Sequence, residues 1–128
     1  MRLATIFVAV FAFCLAGLAQ DELAQYQTWM KAAAGANGAA KKAVAAKDVA
    51  AASAAAKTAA ENFDSIATFW KGKGKDDAVK FATTASEAAA AAAAATTSED
   101  QAAALAKIGP NCQGCHMAYR DGQKFKGL

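Results

Sequence analysis

The chain has 128 residues, a length that suits one domain with a single core. It is 55% apolar with a formal charge of +3, too mild a basic balance to imply nucleic acid or acidic lipid, and its lysines form no patch interleaved with aromatic residues. Its three cysteines, one histidine and one proline are scarce enough for each position to carry information.

The chain opens with MRLATIFVAVFAFCLAGLAQ, a lone positive charge at Arg2 followed by an uncharged apolar run that ends in Ala16-Gly17-Leu18-Ala19. Small residues at both positions that a signal peptidase inspects predict a cleaved secretory signal, residues 1–19, ahead of a mature domain, residues 20–128. The alternative is a retained anchor, although the run is at the short end of the roughly 17–25 residues that a spanning helix needs. Acylation of Cys14 is disfavoured by Phe13, which stands where a lipoprotein has a small residue. Cleavage removes Cys14 and Arg2, leaves Cys112 and Cys115 as the only thiols, and lowers the formal charge of +3 by one.

Alanine, the best helix former, dominates the mature part, and no stretch shows the β-branched alternation of a strand. The first predicted helix runs from about Glu22 into Lys41-Lys42-Ala43-Val44, weakened by Gly35 and Gly38. Asp48 is placed to cap a second helix that continues to about Thr68, and Lys71-Gly72-Lys73-Gly74-Lys75 reads as a loop. Asp76 or Asp77 starts a third helix ending near Ala95, and Ser98-Glu99-Asp100-Gln101 matches a capping box that opens a fourth. Short connections between them predict an all-α, antiparallel up-down-up-down four-helix bundle. Its bulky residues are few, chiefly Leu23, Tyr26, Trp29, Met30, Phe63, Ile66, Phe69, Trp70, Val79, Phe81, Leu105, Ile108 and Tyr119, so the bundle reads as one that lacks a large apolar filling.

The remaining cysteines and the histidine stand together in Cys112-Gln-Gly-Cys115-His116. Leu105, Ile108, Cys112, Cys115 and Tyr119 step by three or four residues, which places the motif on one face of a helix. A thioredoxin-like dithiol needs this spacing at the start of a helix after a strand, and none is predicted. A structural zinc site needs four protein ligands, and the mature chain offers two thiols and one imidazole. Covalent haem attachment uses all three: two thioether links, with the adjacent histidine on the iron. A plain Cys112–Cys115 disulfide is the bland alternative. A haem also accounts for the thin core, and its attachment is expected to drive folding. Gly109-Pro110 interrupts the helix just before the motif, where Pro110 is expected to kink or break it and Asn111 to cap a fresh turn.

With these residues in view, the chain resembles the cytochrome c-prime superfamily, including its low-spin cytochrome c-556 branch. Those proteins are secreted four-helix bundles with the haem motif close to the C-terminus, followed by an aromatic residue and an arginine, as in Cys112-Gln-Gly-Cys115-His116-Met-Ala-Tyr119-Arg120. Tyr26-Gln27-Thr28-Trp29-Met30-Lys31 is similar to the segment of the first helix that faces the distal side of the haem. The resemblance implies one haem c per chain, His116 as proximal ligand and Met30 as sixth ligand. Tyr26 and Met30 are four apart, and Ala33 and Ala34 continue that face with little bulk. Met117 adjoins His116 and cannot reach the opposite side of the iron. The other reading of Met30 is a side chain packed over a five-coordinate haem. Tyr26 and Trp29 are expected to pack in the haem pocket. Arg120, one turn beyond His116, either meets a propionate, orients the proximal side or is simply solvated.

Methionine ligation raises the potential and leaves no vacant position, which points to a periplasmic one-electron carrier between envelope redox proteins. An open distal face points instead to binding or sequestering a small gas such as nitric oxide, and a chain without haem to an alanine-rich envelope protein. Catalysis has little support: with His116 on iron, the mature chain keeps no free histidine or thiol. Dimers occur in the resembled superfamily, but no apolar seam in this sequence identifies a homodimer interface.

Overall fold

The computed structural model describes the backbone of residues 2–122 and 124–126, and the side chains of those from residue 20 onward. The expected signal peptide, Cys14 included, lies outside the residues described with their side chains. Among those residues no helix is long and apolar enough to cross a membrane. Five helical segments follow one another: α1 (Arg2–Ala45), α2 (Val49–Gly72), α3 (Asp76–Ala94), α4 (Ser98–Leu105) and α5 (Ile108–Tyr119). A hairpin of two-residue strands, β1 (Arg120–Asp121) and β2 (Lys124–Phe125), ends the description. The fold is an all-α four-helix bundle in which α4 and α5 together make the fourth member.

Local chemistry explains the junctions. The Asp48 carboxylate accepts the Ala51 N–H at 2.9 Å and caps α2, as its sequence position predicts. The ends of α1 and α2 share one device. At the end of α1, Asp48 N–H reaches the Ala43 carbonyl and Lys47 N–H the Val44 carbonyl, with Lys47 in the left-handed region at φ 58°. At the end of α2, Lys75 N–H reaches the Trp70 carbonyl and Gly74 N–H the Lys71 carbonyl, with Gly74 at φ 66°. The second cap carries α2 to Gly72, beyond the predicted end near Thr68, because Trp70 is buried and holds the last turn in place.

The bundle is packed mainly with alanine. On α2 the buried positions Ala52, Ala56, Ala59, Phe63, Ile66 and Trp70 alternate steps of four and three, and on α3 Ala78, Ala82, Ala85, Ala89 and Ala92 do the same. That is the seam of a coiled coil, and small side chains along it let α2 and α3 pack closely. Of the bulky residues expected inside, Tyr26, Phe63, Ile66, Trp70, Leu105 and Ile108 are buried, whereas Trp29, Met30, Phe69, Val79, Phe81 and Tyr119 are partly covered.

Two details of the fourth member correct the sequence reading. The cap of α4 is Thr97, not Ser98: its hydroxyl accepts the Asp100 N–H at 3.1 Å and donates to the Asp100 carboxylate. Gln101 is thereby free for a different partner, and its amide donates to the Val49 carbonyl and the Ser53 hydroxyl, both at 3.0 Å, tying α4 to α2. The break before the haem-type motif falls at Ala106 and Lys107, one turn ahead of Pro110. The ring of a proline clashes with the carbonyl four residues back, here Ala106, so the helix stops there and restarts with Pro110 in its first turn, where no N–H is needed. Asn111 caps nothing; its side chain donates to the Lys107 carbonyl at 2.9 Å.

Candidate functional site

The restart of the helix puts Cys112, Cys115 and His116 inside α5, all on the side that packs toward the bundle. α5 lies against α3, and α1 against α2 and α4, while α1 and α5 are not among the closely packed pairs. A cleft of about 300 Å³ occupies the gap. One wall is a stripe of α1: Leu23, Tyr26, Gln27, Met30, Lys31 and Ala34, spaced as one helical face. The other is Cys115, His116 and Tyr119 from α5, with Trp70 also lining it and Arg120, Gly122, Lys124 and Phe125 of the hairpin at the end.

A second, smaller cavity of about 20 Å³ adjoins the first through Tyr26, Met30, Cys115 and His116. Its remaining lining is Cys112 with Phe63, Ile66, Phe81, Ala82 and Ala85, so the gap becomes apolar toward the core. Gly114 makes room there for Phe81: a Cβ on Gly114 would meet the Phe81 ring at 2.7 Å.

The titrating groups are set by this burial. The Cys115 thiol is pushed up to about 11 and Cys112 is raised, in both cases chiefly by loss of solvent, so both are free, protonated thiols at neutral pH. His116 is lowered by burial and then by the Arg120 charge, which keeps the imidazole neutral with a lone pair to offer. Among the described residues no group of three or more His, Cys, Asp and Glu side chains is placed to hold a bare metal ion.

Of the residues singled out in the sequence, Tyr26, Met30, Cys115, His116 and Arg120 border the cleft and Cys112 borders its inner end. Trp29 borders neither cavity; it packs partly covered against the core, and Trp70 is the tryptophan at the cleft. Met117 is 71% exposed. The residue that sequence reasoning missed is Phe125. Gly122, at φ 60°, turns the chain back after α5, and Phe125 lands among Tyr26, Phe69 and Trp70 with ring centroids 4.8, 5.2 and 5.5 Å away. Its one signal was a large apolar residue set between Lys124 and Lys126, and strands of two residues are too short to show a periodic pattern. Compared with known proteins, the chain matches no family model, no curated protein and no solved structure.

Proposed function

We propose that this chain is a periplasmic mono-haem c-type cytochrome that carries single electrons between envelope redox proteins, built as an up-down-up-down bundle like the cytochrome c-prime superfamily it resembles. The observation that carries the reading is the placement of both thiols and the imidazole on one face of α5, bordering an apolar gap whose opposite wall holds Met30. The residues fit a haem in their chemistry. Cys112 and Cys115 are free thiols for two thioether links, and His116 is a neutral imidazole for the iron. The walls are mostly apolar side chains, and Arg120, Lys31 and Lys124 border the same cleft, where carboxylates of the macrocycle find cations.

In this reading Met30 is the sixth ligand, and Tyr26, Trp70 and Phe125 exclude water from the macrocycle. A bound haem would supply one-electron redox chemistry; His116 and Met30 would hold its iron, and the low-polarity surroundings would tune its potential. A second reading, a five-coordinate haem that binds a small gas, is favoured by the cleft being partly open to solvent.

Material matured in a host able to attach haem tests both. Intact mass must rise by one macrocycle, and Cys112→Ser with Cys115→Ser must abolish the gain; bare polypeptide ends the haem reading. Sharp low-spin ferrous bands indifferent to carbon monoxide support the carrier, and Met30→Ala should then make the spectrum responsive. A broad Soret band that shifts with carbon monoxide in the unaltered chain supports the gas binder.

A further inference from the structure

The phenol of Tyr26 is 8% exposed and borders both cavities together with Met30 and His116. Among the described residues its hydroxyl makes one hydrogen bond, in which it is the acceptor: Trp70 Nε1–H donates to it at 3.1 Å. Trp70 is fully buried and set edge-on to the Tyr26 ring, centroids 5.8 Å apart, so the indole is fixed. An oxygen that receives this N–H turns its own O–H elsewhere in the ring plane. Burial pushes Tyr26 up to about 12, so the proton stays in place at neutral pH.

A buried donor without an acceptor is unfavourable, and most such groups in folded proteins are paired. In the inner cavity the side chains of Met30, Phe63, Ile66, Phe81 and Ala82 carry no oxygen to pair it. Lys31, Arg120 and Lys124 border the larger cavity and, among the described residues, no carboxylate does; a bound haem's own carboxylates would share these cations, so the preference for an anion rests on the Tyr26 donor.

We propose that Tyr26, held by Trp70, is the hydrogen-bond donor for a small anion taken into the cleft between α1 and α5, and that it makes the site prefer anions to neutral carbon monoxide. The inference rests on the haem reading, in which His116 would hold the iron and a small ligand would take the place of Met30.

The test uses haem-loaded protein carrying Met30→Ala, with Tyr26 or Tyr26→Phe, titrated with azide and with carbon monoxide. Loss of the hydroxyl should weaken azide about tenfold, the worth of one hydrogen bond to a charged acceptor, and leave carbon monoxide within about twofold. Trp70→Phe, acting through Tyr26, should weaken azide by a smaller factor. Unchanged azide affinity in Tyr26→Phe overturns the inference, and so does an equal loss for both ligands. Should Tyr26→Phe not fold, the infrared stretch of bound azide in the Met30→Ala protein decides: it must shift between H2O and D2O, and an unmoved band counts against Tyr26. Protein without a Soret band fails before any ligand is added, which removes the haem reading and this inference together.

Discussion

The phenol of Tyr119 donates a hydrogen bond to the carboxylate of Asp77, joining the last turn of α5 to the first turn of α3. Asp77 sits where an acidic residue is explained by the helix dipole alone, yet it also anchors the helix that carries the two thiols and His116. The bond holds Asp77 below the usual carboxylate range and raises Tyr119 to about 12.

The pH dependence of stability should follow from that pair. A lowered carboxyl pKa contributes stability that is present above the ordinary value near 4 and is lost as pH falls through the native value. A raised phenol pKa contributes stability that is complete below the ordinary value near 10 and is lost as pH rises toward about 12. Tyr26, raised to about 12 by burial, adds to the alkaline loss. Thermal midpoints measured from pH 3 to 12 should show both flanks, and Tyr119→Phe should flatten the acid one and part of the alkaline one. Superimposable profiles for the two proteins would contradict the role of this bond.

Gln101 is fully buried and joins α4 to α2 through one amide nitrogen, while its Oε1 finds no partner among the described residues. Gln101→Ala should cost about 1–3 kcal/mol in denaturant unfolding, since it opens a cavity and removes both bonds. Gln101→Met fills the space without an unpaired oxygen and should cost less. If Met were as damaging as Ala, the two bonds lost in both changes, rather than the packing, would dominate.

The contact of Gly114 with Phe81 invites a double-mutant cycle. Gly114→Ala should destabilise by about 1–3 kcal/mol, because the new methyl group meets the ring at 2.7 Å. In a Phe81→Ala background the same change meets open space and should become stabilising by up to about 1 kcal/mol, the helix preference of alanine over glycine. Additive costs would mean that the ring moves aside freely.

Lys47 adopts the left-handed conformation that Gly74 adopts at the equivalent cap. Lys47→Gly should therefore stabilise by about 0.5–1 kcal/mol. The change removes an exposed ion pair to Glu99 at 3.2 Å, whose contribution is small and screened by salt. The gain should accordingly grow between low and high ionic strength, and a gain that shrinks with salt would be inconsistent with relief of backbone strain.

The alanine seam makes an opposite prediction for larger residues. Ala56 and Ala89 are fully buried. Leucine at either place should cost about 1–3 kcal/mol by forcing α2 and α3 apart, whereas leucine at exposed Ala90 on α3 should leave the unfolding midpoint nearly unchanged. Equal effects at buried and exposed positions would show that close helix approach is not what holds the bundle.

Sequence alone determined the parts of this protein that depend on near neighbours. Asp48 and Asp76 mark helix starts, the steps of three and four from Leu105 to Tyr119 place the cysteines on a helix face, and the Cys112-to-His116 spacing carries its own chemistry. Propensity, capping and periodicity act over a few residues and so can be read along the chain. Tertiary structure decided the rest: that Thr97 caps α4 while Gln101 reaches back to α2, that Trp70 and not Trp29 borders the cleft, and that Phe125 folds in at its end. Apart from the Thr97 cap, which is local, each of those outcomes pairs residues tens of positions apart, where the choice of partner is made by the space left between packed helices and leaves no mark in the local pattern.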